Sequence, residues 1–315
     1  DYGYMPKLNT ANPEVQAYIY NVMVFWLNEY HIDGWRLDVA DEIDPSLWTR
    51  IRYRIKSAYP DCLLLGETWG DGFSLLDEKS VDSIMNYVFR DSVRDFLARG
   101  SIDAKMFNHR ICQMRSHYPE EIRQALFQPL DSHDTERFLW NCSGDIRRLK
   151  LAALFQMCFP GAPSIYYGDE IGLNGANDPD CRRCMEWNPA KQNENVLSFY
   201  KKVIRIRKEN PCLRTGNIVP LVCEKMTYGY LCQSDSQQIY VLINGAEEAN
   251  EVRLPVLKIA EYKDLLTGKS YQADKLVNAG YFNEDMISCQ GTVKLSLRAF
   301  EGIILKTGGM ENEKK

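Results

Sequence analysis

Arg36 and Asp38 stand two residues apart in Gly34-Trp35-Arg36-Leu37-Asp38-Val39-Ala40-Asp41-Glu42, an apolar run that ends among acids. Side chains alternate along a strand, so the two would share one face. A guanidinium beside an acid favours its ionised form, the state a carboxylate nucleophile needs. Leu63-Leu64-Leu65-Gly66-Glu67-Thr68-Trp69 ends a second apolar run on Glu67, and Pro129-Leu130-Asp131-Ser132-His133-Asp134 ends a third on His133 and Asp134. One acid at a strand end is more often a solvated terminus than a catalyst. Three such ends in one repeating chain point to carboxylate chemistry gathered at one rim of a sheet. Cys181-Arg182-Arg183-Cys184 is a lone C-x-x-C. A structural zinc site needs a second ligand pair, and none follows nearby, so these read as loop cysteines able to bridge under oxidation.

The elements that must hold these residues alternate between strand and helix. Asn12-Pro13-Glu14 starts a helix, with an Asn cap, a Pro in the first turn and an acid at the positive end of the dipole. Val15, Tyr18, Ile19, Val22 and Trp26 then recur at helical spacing to near His31. A strand over 34–39 follows, a helix from Asp44-Pro45 to about Tyr59, and an apolar strand from Cys62 to Gly66 of the kind buried on both faces of a parallel sheet. Further strands are expected over 83–86, 125–130 and 163–167, with helices over 89–97, 104–118 and 146–159. Val196, Phe199, Val203 and Ile206 mark a last amphipathic helix. Strands each followed by helix imply an α/β fold with a parallel sheet, doubly wound or a (β/α)8 barrel.

No glycine-rich phosphate fingerprint follows a strand, and chemistry at the C-terminal ends of several strands favours the barrel. A whole barrel takes eight units and about 250 residues, so about three units are expected to lie before residue 1. After Asn210-Pro211 helical periodicity stops. Runs over 238–243 and 292–297, with a turn at Thr267-Gly268, read as an antiparallel β-sandwich. The expected organisation is a partial barrel over 1–210, a sandwich domain over 211–307 and a disordered tail over 308–315.

A chain of 315 residues has room for two domains, and 45% hydrophobic with 11% aromatic content fits a globular protein. The net charge of −5 gives no basic footprint for nucleic acid. No run approaches the ~20 apolar residues of a membrane-spanning helix. Ten cysteines fall in no regular framework, several in apolar contexts such as Cys62, Cys158 and Cys232, which reads as reduced core thiols of a cytoplasmic protein. The opening Asp1-Tyr2-Gly3-Tyr4 has neither the basic nor the apolar region of a secretory leader and resembles mid-loop, so the chain is expected to be a fragment.

Gly34-Trp35-Arg36-Leu37-Asp38-Val39-Ala40, Gly66-Glu67-Thr68-Trp69, Ser132-His133-Asp134-Thr135 and Gly161-Ala162-Pro163-Ser164-Ile165-Tyr166-Tyr167-Gly168-Asp169-Glu170 resemble four strand motifs of the α-amylase family, glycoside hydrolase family 13. They match its fourth, fifth, seventh and eighth strands. Met5-Pro6-Lys7-Leu8-Asn9 resembles the segment ahead of the fourth strand in the neopullulanase, cyclomaltodextrinase and maltogenic amylase group. The likeness runs in order through essentially the whole chain. It implies the C-terminal part, about strands 4–8, of a TIM barrel with an all-β domain behind it. It also implies a retaining hydrolase that cleaves α-glucans by double displacement. The substrates implied are α-1,4 and also α-1,6 links in maltooligosaccharides, cyclomaltodextrins, pullulan or starch.

By that resemblance Asp38 is the nucleophile, Glu67 the general acid/base and Asp134 the carboxylate that fixes and distorts the bound sugar. Arg36, His133 and Trp69 are implied to line the sugar, Glu42 to lie on the acceptor side, and Asp178 and Arg182 to hold the next glucose on the non-reducing side. A retaining pair sits about 5–5.5 Å apart. Glu67 must begin protonated, and its apolar lead-in with Trp69 suggests a poorly hydrated place.

The family's third-strand motif would lie before residue 1, as would strands one to three and the N-terminal sandwich through which this group builds a homodimer. Where many α-amylases carry a lysine–histidine pair that helps bind calcium, this chain has Asp41-Glu42. No metal or cofactor is therefore expected of it, calcium remaining open for a complete protein, and the chain alone is expected to be inactive. An isomerase or transglycosylase on the same scaffold is the nearest alternative. A non-catalytic barrel subunit is the other, and retention of Asp38, Glu67 and Asp134 together argues against it.

Overall fold

The computed structural model describes residues 4–77, 79–276 and 288–307. The chain runs α1 (Pro13–Tyr30), β1 (Gly34–Leu37), α2 (Pro45–Ala58), β2 (Leu63–Gly66), α3 (Phe73–Asp77), β3 (Ser83–Ile84), α4 (Tyr87–Val93), α5 (Ala104–His117), α6 (Glu120–Ala125) and β4 (Phe127–Pro129). It continues through α7 (Phe138–Asn141), α8 (Ile146–Cys158), β5 (Ala162–Ser164), α9 (Glu194–Glu209) and α10 (Cys212–Thr215). The strands β6 (Asn217–Glu224), β7 (Thr227–Gln233), β8 (Gln238–Asn244), β9 (Asn250–Val256), β10 (Glu261–Asp264), β11 (Ser270–Gln272), β12 (Asp274–Lys275), β13 (Gly291–Leu297) and β14 (Glu301–Thr307) follow. Among the described residues no helix is long and apolar enough to cross a membrane.

Two compact units result, Asp1–Val88 with Ser116–Gln128, and Phe89–Arg115 with Pro129–Lys315. In the first, β1, β2 and β3 form a parallel sheet with Gly34 opposite Leu63 and Leu65 opposite Ser83. Met85 bridges Phe127 in the same parallel sense, as successive strand–helix units require. The helix starts carry the caps read from the sequence: Asn12 accepts from the Glu14 N–H at 2.8 Å and Asp44 from the Ser46 N–H at 2.9 Å. His31, in the left-handed region at φ 52°, ends α1.

In the second unit α8 is buried on nearly every side, from Leu151 through Cys158 without a break, which is the pattern of a helix covered all round. Part of that cover is β14: a Cβ on Gly302 would come within 2.8 Å of the Leu154 side chain. The sheet β11-β10-β14-β8-β7-β6 and the sheet β12-β13-β9 share one core, with Tyr240, Leu242 and Leu305 from one meeting Leu254, Val293 and Leu295 from the other. This is the two-sheet packing of a sandwich.

Several expectations shift. The helix α8 and the strand β14 pack within one compact unit. The first strand stops at Leu37, since Val39 turns into the left-handed region at φ 38°. The helix expected over 89–97 begins at Tyr87 and widens into a π turn over Arg94–Ala98, where the Arg99 N–H reaches back to the Arg94 carbonyl. One short helix, α10, follows Pro211 where none was expected. The tail over 308–315 lies outside the described residues.

Candidate active site

Within the first unit, the ends of β1 and β2 bring two carboxyl groups onto one guanidinium. Arg36 Nη1 pairs with Asp38, and Arg36 Nη2 lies 2.5 Å from Glu67 Oε1. The parallel register sets this up: Leu37 lies opposite Gly66, so the residues that follow each strand emerge side by side. The backbone then fastens the junction. The Glu67 N–H donates to the Leu37 carbonyl and the Ala40 N–H to the Glu67 carbonyl, each at 2.8 Å, while the Val39 N–H donates to Glu67 Oε2 at 3.0 Å. A β-branched residue at positive φ costs of order 1–3 kcal/mol and is a mark of functional sites. Here Val39 holds that conformation between the two acids.

The acids differ in setting. The Asp38 side chain is 72% exposed and that of Glu67 is 3% exposed. Asp38 stands one residue past the strand end, on the open rim. Glu67 is buried as expected, yet its oxygens meet a guanidinium and a backbone N–H rather than the apolar lead-in alone. Trp69 is half exposed and stacks on buried Tyr87, with ring centres 4.4 Å apart and planes 16° apart. It thus offers an aromatic face backed by a second ring. Glu42, exposed, pairs with Lys7 at 3.4 Å and also takes the Lys7 Nζ on its carbonyl at 3.1 Å. Asp41 accepts from the Thr68 hydroxyl at 2.8 Å. Lys7, Tyr87 and Val39 were not singled out as site residues. Lys7 and Val39 did lie in quoted motifs, whereas Tyr87 acquires its role only from a tertiary contact.

Within the second unit, Asp134 sits in a cage of charge. His133 Nε2 lies 3.0 Å from Asp134 Oδ2, and Arg182 Nη2 lies 2.9 Å from Asp134 Oδ1. The same guanidinium uses Nε on the His133 carbonyl at 2.9 Å and on Asp178 at 2.7 Å. Asp134, His133, Arg182 and Asp178 are therefore one hydrogen-bonded group, all partly exposed and able to meet sugar hydroxyls. The two cysteines of the C-x-x-C part company: Cys184 is exposed, while Cys181 is buried with its thiol donating to the His133 carbonyl at 3.2 Å. Among the described residues no group of three or more His, Cys, Asp or Glu is placed to hold a metal ion.

Residues 1–216 match the family described as alpha amylase, catalytic domain. The chain is 42% identical to neopullulanase 2 of Thermoactinomyces vulgaris over 308 residues, which is 96% of this chain and 50% of that protein. It is 41% identical to the intracellular maltogenic amylase of Bacillus subtilis strain 168 over 215 residues, 68% of this chain and 37% of the relative. A solved cyclomaltodextrinase structure superposes with a TM-score of 0.84 at 37% identity, covering 96% of this chain and 50% of that one. The chain spans about half the length of the curated relatives it matches.

Proposed function

From the premise that this chain belongs to the α-amylase family, we propose that it carries the catalytic carboxylates of a retaining α-glucan hydrolase of the neopullulanase and cyclomaltodextrinase kind. The observation that supports this most is the sharing of Arg36 by Asp38 and Glu67. Two carboxyl groups held on neighbouring nitrogens of one guanidinium face the same point of the rim, as the two acids of a glycosidase must. Retaining pairs sit about 5–5.5 Å apart, whereas inverting pairs leave about 6.5–9.5 Å for a water between them. Asp38, exposed on the rim, attacks the anomeric carbon; Glu67 protonates the leaving oxygen and then deprotonates the incoming water. Asp134, with His133, Arg182 and Asp178, binds the sugar through its hydroxyls, and Trp69 packs on a sugar face.

The substrates proposed are maltooligosaccharides, cyclomaltodextrins, pullulan or starch, cut with no metal or cofactor in the chemical step. The division into a catalytic region over 1–210 and a β domain over 211–307 is part of this reading, supported by the end of the family match at residue 216. A place inside the cell is proposed from the relative named intracellular, and homodimerisation through a domain outside these residues from the resemblance alone. Asp38→Asn in the full-length protein should lower turnover on maltotriose on the order of a thousandfold or more with the fold intact, because an amide cannot form the glycosyl ester. Azide added to Asp38→Gly should restore cleavage with inverted anomeric product. Near-normal activity of Asp38→Asn would sink the assignment.

A further inference from the structure

Two free cysteines meet inside the second unit, and neither takes part in the chemistry proposed above. Cys212 opens α10 and Cys232 lies in β7, and both are fully buried. Their Sγ atoms are 3.7 Å apart, although the residues stand 20 positions apart in the chain. The contact is reciprocal, since each Sγ also lies 3.1 Å from the other residue's carbonyl oxygen. Both sulfurs press on Gly216, where a Cβ would come within 2.8 Å of the Cys212 Sγ and 2.9 Å of the Cys232 Sγ. These distances put two thiols in one small space that a glycine keeps open.

We propose that Cys212 and Cys232 form a redox site, oxidised reversibly to a disulfide by a peroxide. The Cys212 thiolate attacks one peroxide oxygen, forming a sulfenic acid and releasing hydroxide, which takes up a proton to become water. The Cys232 sulfur then attacks the Cys212 sulfur, and the hydroxyl leaves as a second water. Two thiols thus lose two electrons and two hydrogens, and one hydrogen peroxide becomes two waters. Side-chain rotation supplies the ~1.7 Å by which the sulfurs must close to reach bonding distance. The thiolate is the nucleophile in such steps. The Cys232 thiol beside it holds Cys212 below the ordinary thiol value, helped by Ser234 and Lys306 against the opposing effect of burial, and Cys232 is raised well above that value.

The place of the pair says what the bond would fasten. The Cys212 N–H donates to Gln237 Oε1 at 3.1 Å, which seats α10 on the turn between β7 and β8. Arg207 Nη1 donates to the Leu213 carbonyl at 2.8 Å and to the Met157 and Phe159 carbonyls at 2.8 Å and 2.9 Å. The Gly161 N–H donates to the Arg214 carbonyl at 3.3 Å. Through these bonds α10 holds the segment that leads into β5. A disulfide would tie that junction covalently to β7. With only four residues, α10 opens locally without loss of the surrounding core, which gives a small peroxide access to the pair.

The test is peptide mapping of the full-length protein after exposure to hydrogen peroxide in native buffer, with quenching, unfolding and alkylation of the remaining thiols. The map should contain a cross-linked pair of peptides joining Cys212 to Cys232, two hydrogens lighter than the reduced peptides together and lost on adding dithiothreitol. Amide exchange over 210–216 should slow on the order of tenfold or more on oxidation, because the closed loop has fewer open states, and should recover on reduction. Cys232→Ser should show neither the bridge nor the slowing. Full alkylation of both cysteines after a dose that oxidises the exposed Cys112 or Cys184 overturns the site. A bridge from either to Cys158 in place of the other overturns it too. A bridge with unchanged exchange overturns the fastening of α10. These readings come from the wild type, so they stand even if the variant fails to fold. None of them uses hydrolysis, so failure of the proposed function would be seen separately.

Discussion

Glu42 is the residue whose reading changes most between sequence and structure. Four positions after Asp38, it could be a plain acid ahead of the helix that begins at Pro45, or it could order an acceptor beside the glycosyl-enzyme. Its ion pair is with Lys7, itself part of the Met5-Pro6-Lys7-Leu8-Asn9 segment. An exposed pair of this kind adds little stability, roughly 0–1 kcal/mol, so stability gives weak reason for it. Water and sugar hydroxyls attack the same intermediate, and ~1.4 kcal/mol between their barriers changes their ratio tenfold. Glu42→Gln should therefore alter the ratio of transfer to hydrolysis products from maltotriose in the full-length protein, with a smaller effect on cleavage of the first bond. Lys7→Met should move the ratio as well if the pair acts as a unit. Chromatography of products across acceptor concentrations checks this, and an unchanged ratio in both variants returns Glu42 to a structural role.

The element that fixes the catalytic spacing is the β1–β2 pairing, and its closest approach is at Gly34. A Cβ there would lie 2.3 Å from the Leu63 carbonyl oxygen and 2.7 Å from its Cβ, backbone and near-backbone atoms that cannot swing aside. Gly34→Ala should push β1 off β2, costing about 1–3 kcal/mol as other overpacked sites do, and separate Arg36 from Glu67. A lowered urea midpoint at unchanged m, with activity falling further than stability accounts for, is the expected result. An unshifted midpoint would refute the close packing. The strands themselves were legible because apolar runs, turn residues and end-placed acids are local features. The sharing of Arg36 was not, since it follows from register between residues 31 apart. The buried Arg137–Asp169 pair was hidden for the same reason, although Asp169 stood inside a quoted motif. The short helices α3, α6, α7 and α10 leave too few residues for a period to show, and packing rather than propensity decides them.

For the whole molecule, the first unit presents a sheet whose outermost described strand, β1, pairs on one side with β2. In the same unit α1 buries Met23 and Leu27, while Tyr18, Val22, Phe25, Trp26 and Tyr30 remain exposed, the last three packed ring against ring. Positions 18, 22, 26 and 30 fall at i, i+4 spacing on one helix face. An open strand edge and an exposed apolar helix face each invite further chain, and left bare they favour association. Relatives about twice as long carry further residues that this chain does not span. The chain on its own should therefore elute from a sizing column as oligomer or aggregate and hydrolyse maltotriose poorly or not at all. A separately expressed half of neopullulanase 2, comprising the residues unmatched by this chain, should bind it, shift it toward a one-to-one complex and raise hydrolysis. Lys at both Phe25 and Trp26 should improve the solubility of the chain alone yet block that complementation. Rapid hydrolysis by a monomer of the chain alone would overturn the argument, because β1 and α1 would then need no cover.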